Sequence, residues 1–159
     1  MTRYAAHTEV PAERSRTEIE RTLMRYGATK FVYGWQDEAA IVAFELRGRQ
    51  VKFVLPLPAK ASRAFIYTPG RRRLRTPEQA LQAWEQTTRQ CWRALALIIK
   101  AKLEAVESGV VSLEEEFLAH TLLPDGRTVG QWLQPQLEHA YQTRRMPSML
   151  PLPAGRKEG

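Results

Sequence analysis

The stretch KFVYGWQDEAAIVAFELRGRQVKFVL, Lys30 to Leu55, alternates β-branched or aromatic residues with small or polar ones and is interrupted twice, at Gln36-Asp37-Glu38 and at Gly48. A period of two sends successive side chains to opposite faces, and turns this short join neighbouring antiparallel strands. Three strands are expected, Lys30 to Trp35, Ala39 to Arg47 and Arg49 to Leu55, forming a meander with one face for helices to cover. Phe31, Tyr33 and Trp35 share a side of the first strand, and packing against a helix is their expected role.

Outward from the meander the period becomes helical. Upstream, Pro11 suits a first helical position, Ile19, Leu23 and Tyr26 recur at helical spacing, and Gly27 supplies a stop, so Pro11 to Tyr26 reads as a helix; Ser15 with Glu18 offers a later cap. Downstream, Pro56 and Pro58 end the third strand, since proline cannot donate to a ladder. Lys60 to Arg75 has no sustained period, although Arg63 to Tyr67 is a candidate fourth strand on which Phe65 and Tyr67 would share a face. Thr76-Pro77-Glu78-Gln79 joins an N-cap, a first-turn proline and a capping-box glutamine. The apolar stripe Leu81, Trp84, Cys91, Trp92, Leu95, Ile98, Ile99, Leu103 and Val106 then runs to Gly109, predicting one helix over Pro77 to Ser108. It would be about 48 Å long if straight.

Ser112 with Glu115 opens a short helix to about Thr121, Pro124-Asp125-Gly126 makes a turn, and Thr128 with Gln131 caps a last helix through Trp132, Leu137 and Tyr141. Trp84, Trp92 and Trp132 read as core anchors. The expected architecture is α+β: a three- or four-stranded antiparallel sheet packed on helices, with one long central helix. Residues 1–145 form one domain in this reading, and residues 146–159 are a flexible Pro-rich tail.

The charge is segregated. Between Leu46 and Pro77 lie nine Lys or Arg residues, Arg47, Arg49, Lys52, Lys60, Arg63, Arg71, Arg72, Arg73 and Arg75, with no Asp or Glu. The formal net charge of the chain is +7, so everything outside this window is slightly acidic in total. Such segregation marks a surface for a polyanion, most commonly nucleic acid. The competing reading is a solvated loop, but a long acid-free window beside an aromatic-rich sheet favours contact with phosphates and bases. Lys60, Arg63, Arg71, Arg72, Arg73 and Arg75 are the expected phosphate contacts, and Phe65 and Tyr67 the expected stacking residues. Alternation puts Arg49 and Lys52 on different faces, so only one extends a charged sheet surface. Arg89, Arg93 and Lys100 share a side of the long helix and either prolong the basic track or form a solvated face.

Catalytic constellations are poor, and no enzyme activity, cofactor or metal is expected. Glu116 and His120, four apart on a helix, are two ligands at most, and an exposed ion pair is the preferred reading. Glu114, Glu115 and Glu116 diverge around a helix and do not converge on one ion. Cys91, the single cysteine, sits on the apolar stripe as a buried inert thiol and forms no internal disulfide. Gly126 to Gly130 lacks the lysine of a phosphate-binding loop and reads as a turn and cap. Met1 to Glu9 has no apolar run, and the longest such run, Ala94 to Ile99, is too short for a bilayer, so a cytoplasmic protein without membrane contact is expected.

Several segments carry a resemblance: Met1-Thr2-Arg3-Tyr4, Arg25-Tyr26-Gly27-Ala28, Leu55-Pro56-Leu57-Pro58, the helix segment Trp92 to Glu104, Glu115-Glu116-Phe117-Leu118-Ala119, and Leu123 to Val129. Over nearly its whole length the chain resembles a family of small proteins encoded by tailed phages and prophages, a family that brings no established activity or catalytic residues. The resemblance implies a bacterial host cytoplasm and a role in DNA metabolism or host defence. The extension after Leu152 departs from the family pattern. Together these readings predict a non-catalytic nucleic-acid-binding accessory protein of phage replication or recombination, with DNA ahead of RNA as partner. The alternative is an inhibitor or adaptor that binds an acidic host protein through the same surface.

Overall fold

The computed structural model describes residues 12–36 and 38–146. Pro11 and the segment from Pro147 onward, where the first-turn proline and most of the expected tail fall, lie outside the described residues, as does Asp37 of the first turn. Helix α1 spans Ala12–Arg25, strands β1, β2 and β3 span Lys30–Gln36, Ala39–Leu46 and Arg49–Pro56, and α2 is a single turn, Arg63–Ile66. The long helix α3 runs Pro77–Glu107, followed by α4 (Leu113–Phe117), a 3-10 turn (Leu118–His120) and α5 (Val129–Thr143). The class is α+β, as the periodicity indicates.

The strands form an antiparallel meander in the order β1-β2-β3. Register places Phe31 opposite Phe44, Tyr33 opposite Val42, Val42 opposite Phe53 and Phe44 opposite Val51, so one face is continuous and apolar. Arg47 and Gly48 form the two-residue connection, both at positive φ (49° and 75°), the conformation that matches a hairpin's twist and that glycine adopts without strain. The core joins Val42, Phe44 and Phe53 to Ile19 and Leu23 of α1, Trp92, Leu95, Ile99 and Leu103 of α3, and Phe117 of α4. Phe44 and Phe53 stack 6.3 Å apart, and Phe117 meets both edge-on. The core helices pack on this face; on the other, Val32 and Val54 are exposed.

Three of the four expected caps form as capping boxes with reciprocal hydrogen bonds: Thr76 with Gln79, Ser112 with Glu115, and Thr128 with Gln131. Helix α3 ends where Gly109, at φ +74°, lets its own N–H reach the Val106 carbonyl and that of Val110 reach Ala105. Ser15 is no cap. It lies inside α1, fully buried against the core.

Two further expectations need correction. Arg63 to Ile66 is helical, because Ser62 caps it through a bond from the Ala64 N–H, and its Phe65 is drawn into a buried position. A helix turns two successive alternate residues about 200° apart, so Phe65 and Tyr67 do not share a face. The sheet instead grows at its β3 edge, where Thr121 bridges to Val51 and the Leu122 N–H donates to Gln50 O at 2.8 Å. Trp92 is the buried core tryptophan, whereas Trp84 and Trp132 are only half-buried. Helix α5 contains Pro135 and buries no residue; it leans on the 3-10 turn, where Gly130 approaches so closely that a Cβ would sit 2.9 Å from the Ala119 carbonyl.

Candidate nucleic-acid interface

The segment after α2 is ordered, contrary to its lack of period. Tyr67 bridges to Leu74, the Thr68 N–H donates to Arg73 O at 2.8 Å, and the Arg73 N–H returns to Thr68 Oγ1 at 3.0 Å. The result is a small hairpin with Pro69 to Arg72 at its tip. Arg72 occupies the left-handed region at φ +47°, a conformation costing a non-glycine residue about 1 kcal/mol or more.

Arg75 anchors this hairpin. A helical turn leaves its last carbonyls without intrahelical donors, and the Arg75 side chain supplies them: Nη1 donates to the oxygens of Ala64, Phe65 and Tyr67 at 3.0, 3.2 and 3.1 Å. Its backbone N–H takes the Ile66 oxygen at 2.8 Å. Arg75 is thereby committed to the fold, and Phe65 is committed to it by burial, so neither offers the free surface expected of a phosphate or stacking contact.

The remaining candidates face outward. Arg71, Arg72 and Arg73 are exposed, and among the described residues no carboxylate lies within ion-pair distance of them, of Lys60 or of Arg63. Arg63 sits 5.9 Å from the centroid of the half-buried Tyr67 ring. Arg63, Tyr67, Thr68, Gly70 and Arg72 line a cleft of about 640 Å³. Lys60 lies 4.4 Å from the Trp84 centroid, and that indole is fixed by its N–H donating to the Pro58 oxygen at 2.7 Å.

The N-terminal part of the acid-free window is not free charge. Arg47 approaches Glu107 at 3.7 Å and Arg49 approaches Glu114 at 3.8 Å, so the end of α3 and the start of α4 bring acids to it. Lys52 lies on the open side of the sheet, separated from Arg49 as alternation requires. On α3, Arg93 is paired with Glu18 of α1 and Arg89 bonds Gln86, which breaks the proposed track through Lys100.

The other candidates resolve into structure. Glu116 pairs with Lys102 at 2.7 Å, while His120 stacks on Phe53 with centroids 4.0 Å apart, so the expected Glu116–His120 pair does not form. Burial holds the His120 imidazole below its ordinary pKa, with the nearby Lys102 acting in the same direction. No group of three metal-ligating side chains occurs among the described residues. Cys91 is partly exposed, not buried, and desolvation raises its pKa, which disfavours the reactive thiolate. In the Asp125 turn, both carboxylate oxygens are occupied by Arg127, in accord with a turn-and-cap reading. No described helix is long and apolar enough to cross a membrane.

One aromatic departs from its expected packing role. Trp35 faces the same side as Phe31 and Tyr33, yet it is 59% exposed at the end of β1, where Ala40 is its neighbour on β2. Comparison of the chain with protein-family models, with curated proteins and with solved structures finds no match.

Proposed function

We propose that the protein is a non-catalytic nucleic-acid-binding accessory factor, acting in the DNA metabolism of a phage or prophage. The observation that carries this reading is the hairpin: three consecutive arginines with no carboxylate partner among the described residues, held on an ordered support. Pre-ordering limits the entropy lost when such side chains meet phosphates, and five cations from Lys60 to Arg73, none in an ion pair among the described residues, give a concentrated positive field. The phage context rests on the family resemblance, and no recognition helix suggests a preference for base sequence.

Fluorescence anisotropy with labelled oligonucleotides tests the reading. Five neutralised phosphates predict a log–log slope of affinity against monovalent salt of about −3.5 to −4.5. Absence of binding at low salt rejects it. A second reading, an adaptor that docks on an acidic host protein, is favoured by Leu74, which is 71% exposed beside the arginines and has no obvious use in a phosphate contact. That alternative predicts no binding of the unaltered protein to any oligonucleotide at low salt.

A further inference from the structure

Trp35 is an exposed aromatic on the sheet that the fold leaves unexplained. Its ring is oriented by the edge of Tyr33, with centroids 5.7 Å apart at 72°. It forms one wall of a second cleft, about 430 Å³, whose other boundaries include Glu38, Leu57, Pro58, Lys60 and Trp84. Trp84 is immobilised by its bond to Pro58 and lies against Lys60, so Trp35 supplies the more open indole.

We infer that this cleft receives an unpaired base and that the preferred ligand is therefore single-stranded nucleic acid, a specification that rests on the nucleic-acid reading above. The two clefts divide the chemistry. The hairpin cleft presents Arg63 and Arg72, suited to phosphate; the tryptophan cleft presents an apolar floor, an aromatic wall and the Glu38 carboxylate, which repels phosphate and accepts hydrogen bonds from a base. Lys60 on the lining meets the adjoining backbone. Ala61 lines one cleft and Arg63 the other, two residues apart and thus no more than about 7 Å along the chain. That is the rise of roughly two stacked nucleotides. In a duplex each base is sandwiched within the stack and has no face to offer, whereas a single strand can turn one out at modest cost.

The test uses the full chain with Trp35→Ala and Trp35→Phe, and titrates single-stranded DNA, single-stranded RNA and duplex DNA of equal length at fixed salt. Loss of one base–aromatic stack predicts about 5-fold to 140-fold weaker single-strand binding for Trp35→Ala. Trp35→Phe should recover much of that loss, and duplex affinity and the salt slope should stay unchanged. Similar losses for DNA and RNA identify the base as the shared ligand; a loss confined to one identifies which strand enters. Thermal melts verify that the variants fold, and the non-aromatic Trp35→Leu, expected to show the same loss, carries the test if Trp35→Ala does not fold. Unchanged single-strand affinity in Trp35→Ala, while replacement of Arg71, Arg72 and Arg73 by Ala abolishes binding, overturns this inference and leaves the nucleic-acid reading standing. Equal losses for single strands and duplex also overturn it. Failure of the unaltered protein to bind any oligonucleotide removes both.

Discussion

The two ends of the acid-free window have similar composition and opposite fates. At Arg47 and Arg49 the fold delivers Glu107 and Glu114 from far along the chain, and the charge becomes two exposed ion pairs. At Arg71 to Arg73 no described acid comes near, and a bonded hairpin holds the side chains out to solvent. Charge density along a sequence measures what is available; the tertiary structure decides how much is left uncompensated.

The comparison breaks most completely if the scaffold fails. Trp92 is 1% exposed, meets Tyr33 edge-on at 5.5 Å, and has the Arg16 guanidinium 5.5 Å from its ring. Trp92→Ala should cost about 3–5 kcal/mol in urea unfolding and remove both ends of the window together. Next comes the direct contrast. Replacing Arg71, Arg72 and Arg73 by Ala should make the salt slope of oligonucleotide binding shallower by about 2 to 3, roughly one per cation, whereas Arg47→Ala with Arg49→Ala should leave the slope unchanged. Equal effects from the two sets would erase the distinction.

Arg75→Ala sharpens the contrast within the hairpin. Its guanidinium serves three carbonyls, so the variant should lose about 1.5–3 kcal/mol of stability, the range for hydrogen bonds to charged groups, and weaken binding through hairpin disorder. Arg72→Gly is the converse and should be almost silent in stability. Relief of the positive φ offsets the greater freedom of the unfolded chain, leaving a change within about 0.5 kcal/mol, while the lost charge lowers the salt slope. Chemical denaturation separates these two variants.

A pH effect belongs to the paired side of the molecule. His120 is held below its ordinary value of 6.5, so on acidification the unfolded chain binds a proton before the folded one. Stability contributed by the neutral imidazole is complete above that ordinary value and declines as pH falls through the lowered folded value. Melting temperatures recorded from neutral to mildly acidic pH should show this decline, and His120→Gln should flatten it.

Local features were readable in advance because their causes are local. A capping box spans four residues, and strand alternation is visible within one strand; Thr76, Ser112 and Thr128 accordingly start helices as expected, and the three strands form the expected meander. The candidate site was readable only in part. Arg71, Arg72 and Arg73 are exposed as the charge implied, but Arg75 turns inward to carbonyls whose positions depend on α2. Phe65 reads as a stacking residue because it lies among arginines in the sequence; Ser62 and the neighbouring helix α3 make it a buried helical residue. Trp35 shares its strand face with core residues, and its exposure depends on where the covering elements stop, which alternation does not encode.

The sparse attachment of α5 has a consequence in exchange kinetics. Its cap and first turn are tied to the Leu118–His120 region, and it buries no side chain. Pro135 has no amide hydrogen, which removes its donor to the Gln131 carbonyl in the middle of the helix. Amides from Gln136 to Thr143 should therefore exchange with deuterium through a low-energy local opening, while those around Trp92 and Ile99 should await much larger unfolding. The helix thus forms a separate unit of stability, able to reorganise its exposed Tyr141 end without opening the sheet or the hairpin.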